Sequence, residues 1–226
     1  MRGRAPHWRL PAACVLGGLV LLAASVAGAV ARADPVDDVW AAYEARWNAT
    51  RSLVASFRQR IDVDGIGGKV ESAGRFYFAK PDRMRWDYVE GQQQSVVGDG
   101  RWIWVYQPDL EQVYRVSYET AFGRGGLVAL LAGRQALAER YRLELVARDE
   151  REVTIRLTPK ADVGEILEVT LAAGSFDLLR LAVRDPAGST TYVEFSDLRR
   201  NVDLASSLFS FTPPEGVDVI TTPAQP

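Results

Sequence analysis

From Val36 the apolar positions recur at helical spacing: Val36, Val39, Trp40, Tyr43 and Trp47, with Asp37, Asp38, Glu44 and Arg46 between them. That stripe predicts one amphipathic helix. Asp34-Pro35 supplies an N-cap and an N1 proline, and the pattern runs out near Thr50. Then the period drops to two. Leu53, Ala55, Phe57, Ile61 and Val63 alternate with Ser56, Arg58, Arg60 and Asp62. After the turn at 64–68, Val70, Gly74, Phe76 and Phe78 continue, and Pro81-Asp82 breaks the run. Met84, Trp86 and Tyr88 alternate with Arg83, Arg85 and Asp87, and Gly98-Asp99-Gly100 reads as a hairpin turn into Trp102, Trp104 and Tyr106. Short half-buried strands joined by tight turns predict an antiparallel sheet.

Residues 118–140 interrupt the series. Ala121, Phe122, Leu127, Val128, Leu130, Leu131, Ala136 and Leu137 cluster at helical spacing between Gly123, Gly125, Gly126 and Gly133, which predicts two short helices with flexible joints. Strands resume at 141–146, 153–158, 166–171, 178–183 and 190–195, and 208–211 reads as a last extended piece. No linker or repeat divides the chain, so one domain of ten or so strands is expected.

The first 33 residues differ from the rest. Arg2, Arg4 and Arg9 precede an apolar run from Ala12 to Ala31, and Ala31-Arg32-Ala33 has the A-x-A form of a cleavage site. That layout predicts a signal peptide at 1–33, cut after Ala33, and a working domain over 34–226. An uncleaved anchor is the rival reading, because the run is long enough to span a bilayer. Its small-residue end suits a peptidase better. Setting aside the four arginines of this stretch leaves 23 basic and 29 acidic residues, a net of −6. The only His, His7, and the only Cys, Cys14, also lie in it.

A domain without His or Cys has no Ser-His-Asp triad, no Cys-His pair, no disulfide and no zinc site of the usual ligands. No phosphate loop or dinucleotide fingerprint is present. Asp87, Asp99 and Glu111 lie among aromatics, but nothing marks a carboxylate pair at catalytic separation. Asp99 reads as a turn residue and Asp87 as a partner of Arg85. The acidic balance argues against nucleic acid. No enzyme, cofactor or metal is expected. The aromatics are more informative: Trp86, Trp102 and Trp104 are expected to share a strand face with Phe76, Phe78, Met84, Tyr88 and Tyr106. The helices available to cover that face are few and short. An incompletely filled sheet leaves a cavity that needs a lid.

Phe76-Tyr77-Phe78-Ala79-Lys80-Pro81 running into Met84-Arg85-Trp86-Asp87-Tyr88 resembles the outer-membrane lipoprotein carrier (LolA) family. So do Val96-Val97-Gly98-Asp99-Gly100 before Trp102-Ile103-Trp104-Val105-Tyr106, Glu111-Gln112-Val113, Leu157-Thr158-Pro159-Lys160, and the run from Phe209 to Val217. The ordered set covers nearly all of 36–220. The resemblance implies a mainly β fold: a half-open antiparallel β-barrel of about 10–11 strands, with a helical lid over an apolar cavity. It implies a periplasmic, monomeric carrier of Gram-negative type. Such a carrier takes triacylated lipoproteins from an inner-membrane ABC transporter and passes them to an outer-membrane acceptor. Phe76, Phe78, Met84, Trp86, Trp102 and Trp104 would line the acyl-chain cavity. Trp40, Tyr43, Phe122, Leu127, Leu130 and Leu131 would form the lid. Family members commonly have Arg before the Pro at 81, hydrogen-bonded to lid backbone. Lys80 stands there in this chain and would be the lid lock, with its charge kept and its planar fork lost. Rivals are an outer-membrane acceptor of the same fold, which would need a lipidated Cys near position 34, a lipid-sensing periplasmic regulator, and an enzyme on a β-sandwich.

Overall fold

The computed structural model describes residues 35–63, 67–123, 130, 137 and 139–221. The expected signal peptide and its cleavage site lie outside them. Helix α1, Pro35–Asn48, opens the described chain, with Asp37 and Asp38 in its first turn and Arg46 in its last. These charges suit the helix dipole. Fourteen residues make a marginal helix in isolation. What holds α1 is burial of Val36, Val39, Trp40, Tyr43 and Trp47, each contributing about 1.5–3 kcal/mol.

Twelve strands follow: β1 Ser52–Val63, β2 Gly68–Ala79, β3 Arg83–Glu90, β4 Ser95–Asp99, β5 Trp102–Gln107, β6 Gln112–Ser117, β7 Tyr141–Arg148, β8 Glu152–Pro159, β9 Ile166–Ala172, β10 Leu178–Arg184, β11 Thr190–Arg200 and β12 Asp218–Thr221. Helix α2, Tyr118–Gly123, follows β6, and Leu130 and Leu137 are helical. The strands form one sheet in the order β12-β6-β5-β4-β3-β2-β1-β11-β10-β9-β8-β7. Hairpin neighbours pair antiparallel on both sides of a central β1–β11 pairing. The end strands β7 and β12 do not pair, so the barrel stays half open. The count exceeds the expected 10–11 by β12, which pairs parallel to β6. The tail was expected to be extended at 208–211. Instead, Ser206–Phe209 is a 3-10 turn, with Phe209 buried near β3 and β4.

Directly paired residues share a face of the sheet. Ala55, Phe76, Trp86, Val96 and Val105 form one such row, and Leu53, Phe78, Met84, Gly98 and Ile103 another. Across β1 the same face continues through Phe57 and Phe195, then Val193, Leu181, Val169, Ile155 and Leu145. This inner face carries two apolar clusters. One joins Val36, Val39, Trp40 and Tyr43 to β7–β10, Leu130 and Leu137. The other joins Trp47 to β1, β2, β3, β5 and β11. Two glycines leave room for it. A Cβ on Gly74 would lie 1.9 Å from the Asp87 carbonyl oxygen and 2.9 Å from Phe57, and one on Gly98 2.9 Å from Met84 Cγ.

The outer face of β7–β11, β1 and β2 is charged. The row through Glu71, Arg60, Tyr192, Ala182, Glu168, Arg156 and Glu144 crosses seven strands. Arg156 bonds Glu168 at 2.8 Å, and Arg60 stacks 4.3 Å from the centre of the Tyr192 ring.

Candidate functional site

Phe76, Phe78, Met84 and Trp86 meet on the inner face, all nearly fully buried. Trp86 lies 4.5 Å from Phe76 and 4.8 Å from Phe57, ring to ring, and Trp47 of α1 lies 4.9 Å from Phe78. Tyr88 sits 4.9 Å from Phe57 and donates its hydroxyl to Gln59 at 3.0 Å.

Trp102 and Trp104 do not join them, which corrects the shared face expected from the sequence. Trp104 pairs with Val97 on β4, and Val97 with Arg85 on β3, so these side chains face outward. The buried inner residue of β5 is Ile103. On the outer face Trp104 and Tyr106 pack on Phe211 at 5.7 and 5.8 Å, and the Arg115 guanidinium stacks over Trp102 at 4.5 Å. Asp99 accepts Trp104 Nε1 at 2.8 Å and the amides of Arg101 and Trp102. Asp87 pairs with Arg85 at 2.8 Å. Both carboxylates are therefore held by turn and strand contacts. Among the described residues no three His, Cys, Asp or Glu side chains gather as metal ligands.

The cover is α1. Trp40 and Tyr43 sit on β7–β10, and burial pushes the Tyr43 phenol up, so it stays neutral. Leu130 and Leu137 are fully buried in the same cluster. The Phe122 side chain, Leu127 and Leu131 lie outside the described residues. Under the last turns of α1, Tyr43, Trp47, Leu53, Phe76, Phe195 and Arg200 enclose a pocket of ≈ 20 Å³. That holds one water at most. Anything larger fits there only if α1 moves. A wider groove of ≈ 600 Å³ has mixed walls, with Arg58, Arg60, Arg180, Glu168 and Glu194 of the outer face beside Ala182 and Tyr192.

Lys80 stands at the end of β2, with its amide bonded to the Arg51 carbonyl. Its Nζ donates to the Trp47 carbonyl at 2.8 Å and the Asn48 carbonyl at 3.2 Å, and lies 5.3 Å from the Trp47 ring. A cation on the last carbonyls at a helix C-terminus is favourable. Burial holds the Lys80 amine below its ordinary pKa. A second cation, Arg200 of β11, reaches the same end of α1 and donates to Thr50 Oγ1 at 2.7 Å.

The sequence reading missed Arg200 and the aliphatic half of the inner face: Val153, Ile155, Leu157, Leu167, Val169, Leu171 and Leu181. Their signal is period-two alternation, visible at 153–157 and 167–171.

With this geometry in place, the relatives are informative. The family model described as "Outer membrane lipoprotein carrier protein LolA" matches residues 48–212. The chain belongs to the LolA family. Among LolA relatives named outer-membrane lipoprotein carrier protein, the one from Methylobacillus flagellatus is 33% identical over 190 residues, 84% of this chain and 90% of that one. The Methylococcus capsulatus protein is 35% identical, covering 76% and 82%. The one from Chromobacterium violaceum is 31% identical, covering 89% and 96%. A solved structure from Thermus thermophilus, an uncharacterized conserved protein, superposes with a TM-score of 0.52 at 13% identity, covering 84% of this chain and all of that one. It shares the fold.

Proposed function

We propose that this protein is a periplasmic, non-enzymatic carrier of acylated lipoproteins, exported by a signal peptide cut after Ala33. It would take cargo from an inner-membrane ABC transporter and deliver it to an outer-membrane acceptor, with the acyl chains held on the inner face of the sheet. The observation that carries this reading is the placement of α1. A single helix bridges two apolar clusters on that face and is held at one end by the Lys80 ammonium on its carbonyls. Such a cover can be lifted without breaking the sheet. The family supports the cargo class, since relatives across most of the chain are named lipoprotein carriers.

The energetics set the demand. Each exposed methylene costs about 0.8 kcal/mol, so three acyl chains amount to tens of kcal/mol in water. Phe76, Phe78, Met84 and Trp86 supply the aromatic part of a replacement environment, and the aliphatic inner face of β7–β10 the rest. Lys80 serves as the lid lock. Its closed contacts are hydrogen bonds and a cation over a ring, which form and break without exposing a core. The test is binding of the purified protein to an acylated lipoprotein and to the same lipoprotein stripped of its acyl chains. Binding of the first alone supports the carrier. Equal binding of both places recognition on the surface and defeats it.

A further inference from the structure

Lys80 reaches the end of α1 from one half of the sheet. From the other half, a closed ring of polar contacts reaches the same end. Asp177, just before β10, accepts Arg46 Nε of α1 at 3.3 Å and Arg200 Nε at 2.7 Å. Arg200 donates from Nη1 to Thr50 Oγ1 at 2.7 Å, and Thr50 Oγ1 donates to the Arg46 carbonyl at 2.9 Å. The ring starts and ends on the last turn of α1, and its middle stands on the sheet. The Arg200 side chain is 11% exposed and that of Asp177 22%, so the pair between them is shielded from water.

We infer that Asp177 and Arg200 are positioning residues of the lid, a second latch on α1 that works independently of Lys80. This rests on the reading of α1 as the cover of a carrier. The arrangement suits repeated opening. Removing one partner of a shielded ion pair is strongly destabilising, because the other is left uncompensated. Here both partners stay on the sheet when α1 lifts. Only Arg46, whose side chain is 44% exposed, and the Thr50 hydroxyl leave the ring. The latch therefore gives way without stranding a charge. Lys80, on the opposite side, swings toward water in the same way.

The experiment compares the full chain with Asp177→Asn, Arg46→Gln, Lys80→Leu and the Asp177→Asn/Lys80→Leu double variant. It reads hydrogen exchange at amides 43–50 against the amides of β1 and β8, and the uptake rate of a fluorescent fatty acid. Arg46→Gln cuts only the lid side of the ring, so it stands in if Asp177→Asn folds poorly. Independent latches multiply their effects. Each single variant should speed exchange at 43–50 several-fold with the strands unchanged, the double by the product, and uptake should rise in the same order. Exchange at 43–50 that stays at the wild-type rate, or that rises only in step with the strands, overturns the latch. So does a double variant no faster than Lys80→Leu. Wild-type protein that takes up no fatty acid while exchange behaves as expected defeats the carrier reading and leaves the latch standing.

Discussion

Trp86 and Trp104 lie two strands apart and face opposite ways, so one residue type does two jobs. Trp86→Ser should weaken binding of a fluorescent fatty-acyl probe about tenfold or more, since an indole contributes roughly 1.5–3 kcal/mol of apolar contact. Trp104→Phe should leave probe binding unchanged and cost about 1 kcal/mol of stability through the lost bond to Asp99. Equal probe binding by both variants would show that the inner face is not the site. Asp99 adds a pH signature. Its burial favours the neutral form, but hydrogen bonds from Trp104, Trp102 and Arg101, with the Arg101 charge, outweigh this and hold its carboxyl below the ordinary value. The stability it contributes is complete above the unfolded pKa of about 3.9 and fades as pH falls through the lowered folded value. In urea titrations, the stability gap between wild type and Asp99→Asn should shrink from about pH 4 downward. A gap that stays constant with pH would mean that the Asp99 charge contributes nothing.

At the scale of elements, the inner face depends on where side chains are missing. A methyl on Gly74 would meet the Asp87 carbonyl, which is backbone, whereas one on Gly98 would meet Met84 Cγ, whose buried side chain must change rotamer. Gly74→Ala should therefore lower the unfolding free energy by about 3 kcal/mol and Gly98→Ala by about 1–2 kcal/mol, read from denaturant midpoints. The reverse order would mean that the strand at Gly74 has room to shift. Much of this level was legible in the chain. Period-two runs marked the strands, and the stripe from Val36 to Trp47 marked α1. Two features were not. β12 is four residues with exposed Val219 and Ile220, and it exists only because a distant strand, β6, accepts it in parallel. The facing of β5 was lost because Trp102, Ile103, Trp104 and Val105 are all apolar, which erases the alternation that tells inside from outside.

Across the whole molecule, the two apolar clusters share one cover. Filling the inner face must therefore disturb α1 along its length. Binding of a fatty-acyl probe should raise hydrogen exchange at 36–47 while the β1, β2 and β8 amides stay protected. Protection that instead increases along α1 would mean that the chains bind without lifting it. The resemblance suggested a lid and Lys80 as its lock, but nothing in the sequence brought Asp177 and Arg200 together, because they are far from α1 in the chain and meet only at its end.

The charged outer face bears on how long such a protein lingers at a surface. Its row of Glu71, Arg60, Glu168, Arg156 and Glu144 mixes both signs at close range, so its field cancels within a few ångströms. Anionic lipid headgroups hold proteins through clusters of like-signed basic residues, at about 1 kcal/mol per residue near the surface. Arginines neutralised by their strand neighbours give the lipids no such grip. A carrier built this way would spend little of its round trip adsorbed on bilayers. Its turnover would then be set by diffusion and by the opening of its cover rather than by desorption.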